Sequence, residues 1–269
     1  MGDGVRLSVT DDGSGPAVVL LHGLTATRRY VVMGSRILER AGHRVIAYDA
    51  RGHGRSSPAP DRSAYGYHDL TRDLVAVLDQ LEVSRALLAG ASMGAHTLLE
   101  LALTAPDRVA GAVVITPGYD PKTFDSPERL AHWDALAHGL RTDGIDGFLA
   151  VYDVEAVPEA YRDTVVKVIR QRLALHEHPQ ALADALEMVP RSQPFGNLGE
   201  LNALAGIPVS VVASADGPDP EHPQALGEAY AAAIPGARLV LDEPGKSPVA
   251  WQGSQLSNVI GEVAGRASW

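Results

Sequence analysis

Apolar residues in this chain come in two patterns that alternate. One is a short unbroken run, such as Ala17-Val18-Val19-Leu20-Leu21, Val109 to Ile115 and Val209 to Ala213. Unbroken runs of this length fit strands buried on both faces. The other is an amphipathic stretch, such as residues 68–81, where Leu70, Leu74, Val77, Leu78 and Leu81 share one helical stripe. Read in order, the pattern predicts a half-exposed strand over 5–9, a turn over 11–16 and a strand over Ala17–Leu21. A helix over 28–41 follows, stopped by Gly42, then a strand over Arg44–Tyr48 and the helix over 68–81. A strand over 86–89 leads into a helix carrying Leu98, Leu99, Ala102 and Leu103, ended by Pro106. After Val109–Ile115 the alternation stops. From 119 to 204 no strand is expected, and the segment reads as helical with breaks at Pro127, Gly144, Pro158, Pro179 and Pro190. The rhythm resumes with a strand over Val209–Ala213, a helix over 225–234, a strand over 237–241 and a helix over 256–264.

Strands alternating with helices imply an α/β fold, with a mostly parallel sheet flanked by helices on both faces. Residues 1–118 and 205–269 would form that core, and 119–204 a helical cap inserted late in the chain. Ligands of such sheets gather at the C-terminal ends of the strands. Ser92, His22 and Asp216 each follow such an end.

Composition narrows the function classes. The 269 residues carry 33 Asp and Glu against 23 Lys and Arg, a net charge of −10. That balance argues against nucleic acid and anionic membrane as partners, since both need clustered positive charge. With no cysteine, disulfides, thiolate metal sites and cysteine nucleophiles are excluded. Met1-Gly2-Asp3-Gly4-Val5-Arg6 has no apolar stretch of a signal peptide, and Arg6 stands where myristoylation wants Ser or Thr. The expectation is a cytoplasmic protein, monomer or homodimer, acting on a small molecule without a cofactor. Gly52-x-Gly54 neither opens a helix nor reaches a third glycine, so no dinucleotide fingerprint is present. His176 and His178 stand two apart, which on a helix turns them to different sides and argues against a metal pair.

The chemistry concentrates at Gly90-Ala91-Ser92-Met93-Gly94, placed between a buried strand and a helix. The glycines permit a tight turn that lifts the Ser92 hydroxyl off the sheet edge. The helix starting there aims its N-terminal N–H groups at the same spot, where a negative oxygen could be held.

With these residues in place, the chain resembles the α/β-hydrolase family over almost its whole length. His22-Gly23 resembles the family's turn after its third strand. Residues 49–56, Asp-Ala-Arg-Gly-His-Gly-Arg-Ser, resemble its D-x-R-G-x-G-x-S loop, and Gly90 to Gly94 its nucleophile elbow. The resemblance implies Ser92 as nucleophile, the N–H groups of Leu24 and Met93 as an oxyanion hole, and His22 and Gly23 at the binding turn. It implies Asp216 as the acid, with Asp219 as second choice. A serine at the elbow argues against haloalkane dehalogenase and epoxide hydrolase chemistry, which use an aspartate there.

One departure stands out. The family's histidine sits in a Gly-His step after the last strand. Here that step reads Gly245-Lys246, and no histidine follows His222. A serine hydroxyl needs an adjacent base. Lys246 could serve if it lost its charge, which a facing Asp216 would oppose. A displaced histidine could serve instead: His222, close to Asp216 in sequence, or one from the cap, which holds His132, His138, His176 and His178. Otherwise hydrolysis is lost, and the pocket binds a small ligand or catalyses a non-hydrolytic step. Of the remaining histidines, His22 and His53 would brace backbone, His96 would pack beneath the elbow, and His43 and His68 would lie at the surface.

Overall fold

The computed structural model describes residues 3–214, 221–242 and 253–269. Among these residues seven strands form one sheet in the order β1-β3-β2-β4-β5-β6-β7. They are β1 (Val9–Asp12), β2 (Ala17–Leu21), β3 (Arg44–Tyr48), β4 (Ala86–Ala91), β5 (Val109–Ile115), β6 (Val209–Ala213) and β7 (Arg238–Leu241). Among the described residues only β1 runs antiparallel, along the β3 edge, and every other pairing is parallel.

The unbroken apolar runs have the expected cause. Successive side chains point to opposite faces, and helices cover both. Val19, Leu21, Ile46, Leu88 and Val114 pack on one face with α2 (Tyr67–Gln80), α3 (Met93–Thr104) and α7 (Gln224–Ala233). Val18, Leu20, Val45, Leu87 and Val113 pack on the other with α8 (Gly253–Ala264) and Leu38 of the short α1 (Ile37–Arg40). Each fully buried Val, Leu or Ile contributes roughly 1.5–3 kcal/mol.

Between β5 and β6 lie α4 (Pro127–Val151), α5 (Arg162–Leu173) and α6 (Pro179–Met188). Pro127 and Pro179 open their helices, and Gly144, at φ 63°, kinks α4. Apolar residues of this insertion, among them Leu136, Leu140, Leu182 and Val189, share a core with Leu24, Tyr67 and Met93. The insertion therefore rests on the turns that follow β2 and β4.

Two expectations are corrected. The first strand lies at Val9–Asp12 rather than 5–9, because the earlier residues pair with a loop instead of the sheet. Arg6 and Ser8 donate their N–H groups to the hydroxyls of Ser57 and Ser56, both at 2.9 Å. The long helix over 28–41 is replaced by a turn at Arg28–Tyr30 and α1 alone. Met33 and Gly34, at φ 47° and 80°, reverse the chain between them.

Candidate active site

Ser92 occupies the junction of β4 and α3 at φ 48° and ψ −110°, a strained conformation for a residue with a side chain. Close packing makes the strain necessary. A Cβ on Gly90 would run into the Gly94 backbone, and one on Gly94 into the Leu21 carbonyl. The turn is thus clamped against β2. Met93 opens α3, so its N–H is one that the helix cannot pair internally.

The Leu24 N–H belongs to a peptide whose carbonyl is held at two points. Gly23 O accepts from Ala26 N at 2.9 Å and from His22 Nδ1 at 2.8 Å. In a trans peptide the N–H points opposite to that carbonyl, so its direction is fixed. The 49–56 loop braces the same segment, with His53 Nε2 donating to Leu24 O at 2.7 Å. His22 also accepts from Ala50 N through Nε2, at 2.9 Å. Both of its nitrogens are therefore spent on backbone, and it holds the turn rather than facing a ligand. Burial, then the neighbouring His53, pushes the His22 pKa well down, which keeps it neutral. Gly23 packs directly on Ser92, where a Cβ would sit 3.6 Å from Ser92 Cβ.

His222 reaches the serine. Its Nε2 lies 2.8 Å from Ser92 Oγ, within hydrogen-bond range. The residue stands just ahead of Pro223 and α7, on the chain that leaves β6. Among the described residues, three features help to hold it there. A Cβ on Gly118 would lie 2.7 Å from Glu221 O and 2.9 Å from His222 Cδ2, so glycine makes the space. The Arg129 guanidinium binds Glu221 at 3.2 Å while donating to the Phe124 and Pro190 carbonyls. The turn bearing Gly118 is fixed by His96, whose Nε2 accepts from Gly118 N at 3.2 Å and Tyr119 N at 3.1 Å. His96 is buried under the elbow as expected, and desolvation drives its pKa down to about 3.

The other histidine candidates lie elsewhere. His132 and His138 are exposed. His176 is buried against the turn that follows β2, accepting from Gly54 N at 3.0 Å and facing Thr25 O at 3.3 Å. Desolvation lowers its pKa to about 3 as well. His68 is exposed, as expected, whereas His43 is half-buried against Trp269. Asp216, Asp219 and Lys246 lie outside the described residues. Among the described residues, no group of three or more His, Asp or Glu is placed to hold a metal ion. No described helix is long and apolar enough to cross a membrane.

Ser92, His222, Leu24 and Met93 open onto one cleft of about 430 Å³, part of it open to solvent. Tyr67, Arg129, Trp133 and Gly118 also line it. Sequence reasoning did not single out these four. Tyr67 and Trp133 look like ordinary helix positions in the sequence, and the role of Gly118 depends on a strand-end contact about a hundred residues away in the chain.

Comparison with known proteins agrees with this architecture. The family model described as alpha/beta hydrolase fold matches residues 16–142. A Variovorax paradoxus (strain S110) protein named "Putative carbamate hydrolase RutD" is 34% identical over 203 residues, 76% of this chain and 68% of that protein. An epoxide hydrolase from Caballeronia sordidicola is 42% identical over 106 residues, 39% of this chain and 32% of its own length. The chain spans about half the length, or less, of several curated relatives that it matches. Among solved structures, a thermophilic esterase from Thermogutta terrifontis superposes with a TM-score of 0.75 at 25% identity, covering 97% of this chain and 93% of that one.

Proposed function

The chain belongs to the α/β-hydrolase fold family, and on that premise we propose that it is a serine hydrolase of carboxylic esters or related acyl compounds, working through an acyl-Ser92 intermediate. The observation that carries the proposal is the 2.8 Å contact between His222 Nε2 and Ser92 Oγ. The case for a chain that only binds a ligand rests on a missing base, and this contact supports His222, on the chain that leaves β6, as that base.

In the first step His222 Nε2 takes the Ser92 proton while Oγ attacks the substrate carbonyl carbon. The carbonyl oxygen becomes an oxyanion, and the N–H groups of Leu24 and Met93 receive it. Each such donor, already oriented, is worth about 3 kcal/mol of barrier. The intermediate collapses, the carbon–oxygen bond to the alcohol breaks, and His222 returns the proton to the leaving oxygen. Water, deprotonated by the same imidazole, then releases the acid and regenerates Ser92. Asp216 is the proposed acid that orients His222, with Asp219 as the second choice. The helical insertion acts as a cap that limits water around the acyl-enzyme. A serine at position 92 sets this chemistry apart from the aspartate-based opening of epoxides.

Fluorophosphonate labelling across pH 6 to 10 tests the proposal. Wild type should label rapidly near pH 7, Ser92→Ala should not label, and His222→Ala should slow labelling by about 10³-fold or more. Labelling that His222→Ala leaves untouched and that rises only towards pH 9–10 would transfer the base role to Lys246 and overturn the assignment.

A further inference from the structure

The cleft wall beside Ser92 carries hydrogen-bond donors that the hydrolytic cycle does not use. His96 determines how one of them is aimed. Its Nε2 accepts from two backbone N–H groups, those of Gly118 and Tyr119. A nitrogen that accepts carries no proton, so the hydrogen of the neutral ring is on Nδ1. Nδ1–H therefore donates to Tyr67 Oη, 3.0 Å away. A hydroxyl that accepts in this way keeps its own proton free for another partner. Among the described residues Tyr67 Oη makes no other hydrogen bond, although Tyr67 is only 5% exposed. Burial raises the phenol pKa, so the group stays O–H at every working pH. A second donor behaves alike: Trp133 lines the same cleft, and its indole Nε1 is buried with no hydrogen-bond partner among the described residues.

Two buried donors without acceptors are costly to leave unpaired. Much of the rest of the wall is apolar, with Leu24, Met93, Val189 and Pro190. Building on the serine-hydrolase reading above, we infer that the cleft selects esters or lactones bearing a second oxygen acceptor, an oxo or hydroxyl group a few atoms from the reacting carbonyl, received by Tyr67 Oη–H with Trp133 Nε1–H as the second donor. A plain alkyl ester of the same shape would leave both donors unpaired. Sites built to pair a substrate oxygen reject analogues lacking it for this reason.

The test uses matched ester pairs that differ by one carbonyl: ethyl 3-oxobutanoate against ethyl butanoate, and ethyl 4-oxopentanoate against ethyl pentanoate. Wild type should favour at least one oxo ester over its partner by tenfold or more in kcat/KM. Tyr67→Phe should cut that ratio by about tenfold, because the intrinsic reactivity of each ester cancels between the two enzymes. Trp133→Phe, which leaves the His96 contact alone, should reduce the same ratio. A wild-type ratio near one for both pairs, or variants that slow both members of a pair equally, would overturn the inference. Ser92-dependent fluorophosphonate labelling, run alongside on each protein, separates the two failures. Lost labelling in wild type sinks the hydrolase reading, whereas retained labelling without discrimination sinks only the role of Tyr67 and Trp133.

Discussion

The imidazole of His222 is delivered to Ser92 across a residue that contributes no side chain. A methyl group at position 118 would press on the Glu221 carbonyl at 2.7 Å and on the His222 ring at 2.9 Å. Neither neighbour is the free end of a flexible chain, so the strap at 221–222 would have to move. Gly118→Ala should therefore lower kcat/KM by about 100-fold, the scale on which a displacement near 1 Å acts on catalysis. The melting temperature should fall by no more than a few degrees, because the change lies at a cleft wall rather than in a sheet core. Calorimetry beside steady-state kinetics checks both halves. Ser92 and its turn were legible in the sequence, because a strand, two glycines and a helix are local features. His222 was one of several open choices, since only proximity to Asp216 recommended it. The contact that selects it joins positions 118 and 222, which no periodicity relates.

Among the elements, α2 shows how the loop after β3 is held. Arg51 is fully buried and makes two hydrogen bonds to Asp73 of α2, both at 2.7 Å. It also donates to the Ala64 carbonyl at 2.9 Å and to Asp3 at 3.0 Å. Removing Asp73 takes both of its hydrogen bonds from the buried Arg51 charge and leaves only Asp3 and the more distant Asp69 as counter-charges among the described residues. Asp73→Ala should cost about 3–5 kcal/mol in urea unfolding. The loop also carries His53, which ties it to Leu24, so the same variant should lower activity below the point of unfolding. The strand runs from β2 to β6 were readable because strands covered on both faces lose their polar alternation. The edge was not. The residues expected to form the first strand are engaged by Ser56 and Ser57 instead. The helix expected over 28–41 failed because its apolar spacing serves a turn that packs on α8. A Cβ on Gly253 would collide with the Val32 carbonyl, which shows how closely that turn and α8 meet.

Across the whole molecule, buried imidazoles set a limit on the acid side. Desolvation holds His96 and His176 down to about 3, and lowers His22 and His53 too. The unfolded chain takes up those protons near pH 6.5, while the folded chain resists until much lower pH. The stability these groups contribute is therefore complete above about pH 6.5 and drains away as pH falls towards 3. The urea midpoint should drop steadily over that window, and His176→Gln should flatten the slope. An unchanged midpoint from pH 7 to 4 would contradict the assignment. The sheet order has a consequence of another kind. Strands β6 and β7 are neighbours, roughly 5 Å apart. The chain that leaves β6 brings an imidazole to Ser92, and β7 ends one strand away. Active centres on this scaffold are thus addressed by place and not by order along the chain. An inventory that discards chains lacking a late Gly-His step would file this one among the dead copies, whereas on the function proposed above its imidazole has moved one strand inward.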